Sequence, residues 1–288
     1  MPKLPALWSP LQRPTGRLWL LLGLSLLALL GEQWAPHYSR PVLYALLGLG
    51  LLTVGLGHGA MDQITTARAR QLPLGTFISL YLGVMALMAL FWWLWSYGAL
   101  GVFLLYSALH FGETDLRSMG QQHWGWHLLW GSLLLLMILS SHAEALAPLW
   151  PSLTGYPLPP GPYQILAWGA AGGGLLLALY LREKRLAGLT LLLVIGYGLP
   201  LLMAFGLYFI GQHSLQGWQD LHHSLRRSHR ALLREAAPYT LGAWIGLAGA
   251  LYWSGGALAQ YTAALFIFIS CVSLPHVALM AAFYRERS

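Results

Sequence analysis

A chain of 288 residues that is 57% hydrophobic and 9% charged is no ordinary soluble domain, where charged residues make up about a quarter. Its formal net charge of +7 is that of a membrane protein with Lys and Arg in its loops, and does not indicate a nucleic-acid surface. The single cysteine, Cys271, excludes an internal disulfide, and the alternating segments of a membrane β-barrel are absent.

The composition therefore predicts an all-α fold, a polytopic transmembrane bundle forming one integral-membrane domain over residues 1–288. Lys3, Arg13 and Arg17 precede a first apolar run at 18–35. No small-residue cleavage site follows it, so it reads as an uncleaved first helix. Further spans are expected near 41–59, 75–96, 98–113, 125–143 and 163–181, then near 239–255 and 258–283. At 149–163, "LWPSLTGYPLPPGPY" is a Pro-rich external loop. "GAAGGGLLLAL" lies inside a span with no strand before it, which suits close helix packing and not a phosphate cradle.

The stretch 186–217 is too long for one crossing and carries Gly-Leu-Pro at 198–200. Splitting it at Pro200 gives ten spans, within a range of eight to ten, with both termini cytoplasmic. Arg68, Arg70, Arg117, Arg182, Lys184, Arg185, Arg226, Arg227, Arg230, Arg234, Arg285 and Arg287 then fall inside with the N-terminal cations, and Arg40 alone falls outside. Without the split, the 226–234 cluster and the C-terminal pair move outside.

This topology puts four histidines towards the cytoplasmic ends of the even-numbered spans: His58 in "GLGHGAMD", His110 in "SALHFGETD", His213 in "FGLYFIGQHSLQGW" and His276 in "SLPHVALM". Ionisable residues inside a membrane are rare and usually functional, and neutral imidazole is the commonest metal ligand. Four imidazoles on four helices suit one transition metal, with iron, copper and zinc all open on ligand type. Asp62, Glu113 and Asp115 follow His58 and His110 and are candidates to accept the second ring N–H of each. Tyr106, Phe111, Tyr208 and Phe209 stand beside the histidines as candidate walls of a tunnel for a long apolar or polyene substrate. His222, His223 and His229 lie in "LHHSLRRSHR", an interfacial segment suited to anionic lipid, with His222 a reserve ligand. His123 and His127 have metal spacing but aromatic, interfacial neighbours, and His37 and His142 sit on the outer side.

In "GHGAMD", "SALHFGETD", "LLMAFGLYFIGQHS" and "LPHVAL", in that order from 55 to 278, the chain resembles the bacteriorhodopsin-related-protein (Brp/Blh) family. These are integral-membrane β-carotene 15,15'-dioxygenases of bacteria and archaea. The resemblance implies a carotenoid-cleaving dioxygenase in the cytoplasmic membrane. It would use Fe(2+) and O2 to cut the central double bond of β-carotene, drawn from the bilayer, into two retinals for a retinal-binding rhodopsin. It implies His58, His110 and His213 as iron ligands, with Asp62, Glu113 and Asp115 behind them. Family members often continue the third motif as His-Ser-x-x-His. Gly217 stands there in this chain, which leaves His276, then His222, as the fourth ligand.

Other classes fit less well. A membrane di-iron desaturase needs several paired-histidine boxes, and only His222-His223 is adjacent. A haem protein with facing histidines, and a transporter or non-catalytic partner of a retinal protein, remain, although no inverted repeat is evident.

Overall fold

The computed structural model describes residues 14–66, 69 and 71–286, and these form helices joined by short turns, with no strand. Lys3, Arg13, Arg68, Arg70 and Arg287, used above to orient the spans, lie outside the described residues.

Helix α1 (Pro14–Trp34) is separated from α2 (Pro36–Gly50) by Ala35 alone. A π-helical turn, Leu51–Gly55, carries α2 into the short α3 (Leu56–Gly59). Ala60 and Met61 form a turn before α4 (Asp62–Thr65). Then come α5 (Leu74–Leu94), α6 (Ser96–Arg117) and α7 (Trp124–Ser141). Two short pieces, α8 (Ala143–Leu146) and α9 (Trp150–Thr154), lead to α10 (Tyr163–Leu181). Helix α11 (Lys184–Gly196) ends before Pro200, which caps α12 (Leu201–Tyr208) with an extended backbone (ψ 145°). A proline N–H is missing anyway, so the break costs least there. A second π-helical turn, Phe209–Ser214, joins α12 to α13 (Leu215–Leu225), and α14 (His229–Trp253) and α15 (Leu258–Arg285) complete the chain.

Six of these helices are long and apolar enough to cross a membrane: Gly16–Trp34, Pro36–Thr65, Leu74–Leu94, Trp124–Ser141, Tyr163–Leu181 and Ala259–Arg285. Their outward faces carry large apolar side chains, such as Leu87, Leu176 and Ile165, that no solvent-facing surface would show in such number. The apolar helices mark a membrane protein. The other predicted spans are helical too, but α6, α11, α12 and α14 are too short or too polar to meet the same measure.

Helices in lipid gain little from the hydrophobic effect on meeting one another, so close packing through small residues carries the association. The contact between α6 and α7 follows this rule. A Cβ at Gly112 would overlap the His127 carbonyl, and one at Gly131 would overlap the Ala108 carbonyl. These glycines flank His110 in space and hold its helix against α7. Gly174, in the Gly-rich segment, packs on Thr190 and Trp130. The core between these helices is built from Trp130, Leu134, Met137, Leu186 and Leu189, all but excluded from the surface.

Candidate metal centre

Four helical segments far apart in sequence bring His58, His110, His213 and His276 together. Each is at most 5% exposed. Their rings form a closed circuit, with centroids 5.4 Å apart for His58–His213, 4.8 Å for His213–His110, 5.2 Å for His110–His276 and 4.9 Å for His276–His58. Each of His58, His110 and His213 offers a ring nitrogen within 4.8 Å of the others.

The local backbone explains two of these positions. The π turn Leu51–Gly55 leaves the Gly55 carbonyl open to accept from His58 Nδ1 at 2.5 Å. The second π turn carries His213, whose ring stacks on Phe209 (5.5 Å, 23°), which stacks in turn on Phe205 (5.2 Å, 14°). Such turns recur at functional sites because they re-aim side chains that a regular α-helix would rotate away.

The hydrogen bonds divide the ring nitrogens. His58 donates from Nδ1 to Gly55, and His276 donates from Nδ1 to Asp62 Oδ1 at 2.8 Å. That leaves Nε2 of each as a bare lone pair pointing inward. Five buried ring nitrogens have no hydrogen-bond partner: His58 Nε2, both nitrogens of His110, His213 Nδ1 and His276 Nε2. A buried polar atom without a partner costs about 1–3 kcal/mol, and since one of the two His110 nitrogens carries the ring proton, one unpartnered nitrogen from each of the four rings calls for a common partner. A metal ion is the chemistry that fits. The donor set would be all-imidazole, with Asp62 fixing the tautomer of His276 beside it.

The predicted carboxylates are distributed differently. Asp62 does not serve His58. The helix carrying His58 ends at Gly59, the turn at Ala60–Met61 breaks the four-residue spacing, and Asp62 pairs with His276 instead. Its other oxygen accepts from the Tyr81 hydroxyl at 2.9 Å. Glu113 pairs with Arg117 at 2.8 Å in place of a histidine. Asp115, fully buried, serves no histidine and accepts from Trp130 Nε1 (2.9 Å), the Tyr208 hydroxyl (2.9 Å) and Gln212 Nε2 (3.0 Å). It thereby ties α6 to the π turn, one residue from His213.

The cluster forms one wall of an apolar cavity. Phe103, Leu104, Ser107 and Phe111 of α6 line it at helical spacing, as do Leu201, Leu202 and Phe205 of α12 and Phe209 of the π turn after it, with Leu135 and Ile138 of α7 and Phe266 and Ile269 of α15. Phe111 and Phe209 thus face the cavity. Tyr106 and Tyr208 do not, because each sits one residue off its helix's lining stripe. The Tyr106 hydroxyl bonds the Ser270 carbonyl at 2.6 Å, and that of Tyr208 goes to Asp115. His222 is also elsewhere: it stacks on His229 (4.0 Å, 17°) and bonds the Arg227 carbonyl. His127 bonds the Gln121 carbonyl, and His142 bonds the Leu199 carbonyl, tying α7 to the turn before α12. Tyr81, Trp130 and Gln212 were not expected at the site. Gln212 alone had a signal, as an amide beside a histidine in an otherwise apolar run.

The family model for beta-carotene 15,15'-dioxygenase matches residues 49–284. The chain belongs to that family. All four clustered histidines, and both π turns, fall within the matched residues of this dioxygenase-family chain. No curated protein matches it, and no solved structure does.

Proposed function

We propose that the protein is an iron(II) dioxygenase that cleaves the central 15,15' double bond of β-carotene, or a related carotenoid, to retinal. The observation that carries this reading is the meeting of four buried imidazoles, each with an unpartnered ring nitrogen, on the wall of an apolar cavity. In this reading His58, His110 and His213 hold the metal, with His276 as the fourth ligand in the absence of a histidine at Gly217. Bound there, iron(II) supplies the activation of O2 that an unactivated double bond requires.

The chain's own residues supply the rest. The Gly55 carbonyl and Asp62 fix His58 and His276 in the tautomer that turns Nε2 inward. Asp115, through Gln212 and Tyr208, steadies the turn that carries His213. Phe103, Phe111, Phe205 and Phe209 hold the polyene by contact and keep water out. The reaction balances with one carotene and one O2 giving two aldehydes, so no further reductant is needed.

The substrate enters from the bilayer, and the chain sits in a bacterial or archaeal cytoplasmic membrane, crossing ten times with both termini inside. Contacts among the cationic ends support their lying on one side: Arg17 bonds Gln216 and Gln219, Arg185 bonds Ser118, and Arg117 lies over the Tyr284 ring, 5.4 Å from its centroid. Retinal passes to a retinal-binding rhodopsin.

The test is reconstitution. Metal-free protein in detergent, given Fe(II), O2 and β-carotene, is expected to yield two retinals per carotene, both carrying label from labelled O2. Longer or unequal aldehydes would move the cleavage site. A Soret band in the purified protein would replace this reading with a haem protein.

A further inference from the structure

The histidine cavity has a neighbour. A second cavity lies on the other side of α3, lined by Phe77, Ile78 and Met85 of α5, Gly242 of α14 and Phe268 of α15. Leu56, Gly59 and Val272 line both cavities, so one layer of residues separates them. From that shared wall the two run in different directions, the first towards α7 and α12, the second towards α5 and α14. Gly59 is the thin point of the wall. It carries no side chain, and a Cβ there would come within 3.4 Å of the His276 ring.

The second cavity offers little for a polar ligand. The Tyr81 hydroxyl donates to Asp62 and that of Tyr239 to Gln63, so both are already partnered. The remaining surface suits an apolar chain, and the exposed Leu82 at its edge opens it to the surroundings.

A bond at the midpoint of a rigid, symmetric rod leaves equal lengths on either side of the reacting atoms. A single cavity ending at the histidines holds one of those lengths. We propose that the second cavity takes the other half of the polyene, so that the substrate lies across the Leu56–Gly59–Val272 wall with its central double bond at the histidines. This rests on the carotenoid-cleavage reading above. It requires that Leu56 and Val272 shift their side chains beside the His276 ring, which packs against Gly59.

Met85→Trp and Gly242→Phe test it, because each fills the second cavity at a distance from the histidines, and a Cβ at Gly242 meets nothing within 4 Å. Both variants and the wild type are purified as full chains. Iron content, retained β-carotene, and cleavage of β-carotene against an apocarotenal shortened on one side of the same bond are measured for each. The expected result is unchanged iron, with β-carotene retention and cleavage lowered by roughly tenfold or more, the scale on which a pocket discriminates by size. Cleavage of the shortened apocarotenal is retained. Equal loss of both substrates, or loss of neither, overturns the proposal. If the wild type cleaves nothing, the carotenoid-cleavage reading fails, and retention then decides: β-carotene held by the wild type and lost by both variants supports the two-cavity passage, and any other retention pattern overturns it.

Discussion

Removing one imidazole from the cluster takes away a lone pair and leaves the surrounding cavity intact, so the effect falls on metal before it falls on folding. His58→Ala, His110→Ala and His213→Ala are each expected to abolish stoichiometric iron while the protein still purifies as a folded species in detergent. Metal analysis beside size-exclusion chromatography checks this, and full iron content in any of the three removes that residue from the ligand set. Asp62→Asn tests the residue behind His276. An amide has one acceptor oxygen where the carboxylate offered two, to His276 and Tyr81, so metal affinity is expected to fall roughly 10–100-fold. Asp115 acts on folding instead. Asp115→Ala leaves three buried donors unpaired, at about 1–3 kcal/mol each, whereas Glu113→Ala frees one half-buried pair with Arg117, worth about 0–1 kcal/mol. Thermal melting should therefore show a large drop for Asp115→Ala and a small one for Glu113→Ala. At this scale the grouping of the four histidines was legible, because a histidine in a strongly apolar run is itself a signal. Their polar partners were not. Asp62 finds a histidine 214 residues away and Asp115 a tryptophan on the next helix, and neither pairing leaves any spacing pattern in the chain.

Among the elements, the contact between α6 and α7 is the most demanding. Gly112 and Gly131 each stand where a side chain would strike the opposite backbone. Gly112→Ala or Gly131→Ala must therefore push the helices apart, whereas Gly101→Ala on the same α6 meets nothing within 4 Å. The first two are expected to lower both melting temperature and iron content, since His110 travels with α6, and Gly101→Ala is expected to leave both unchanged. Equal behaviour of all three would show that the glycine contact does not position the site. The break at Pro200 was readable from the residue itself, which cannot continue the ladder. The two π turns were not readable. One extra residue in a helical turn changes no composition and shifts the apolar period by less than sequence noise, yet it decides where His58 and His213 point.

For the whole molecule, the proposed topology puts the cationic loops and the histidine cluster at one end of the bundle. A reporter fused after residue 158 is expected to score as outside, and one fused after residue 227 as inside. The reverse for either would remove a crossing between them. Polytopic helical architecture was evident in the bulk composition, because few sequences of this length are so poor in charge. The cavities were only half evident: two of four proposed aromatic walls face the first one, and nothing in the residue order announced the second.

The most direct test of the central claim is retinal production in cells that make β-carotene, comparing the wild type with the His58→Ala, His110→Ala and His213→Ala variants at matched protein levels. Retinal from the wild type alone, with carotene consumed in step, is the predicted result. Carotene left intact by a folded, iron-loaded wild type would contradict the account.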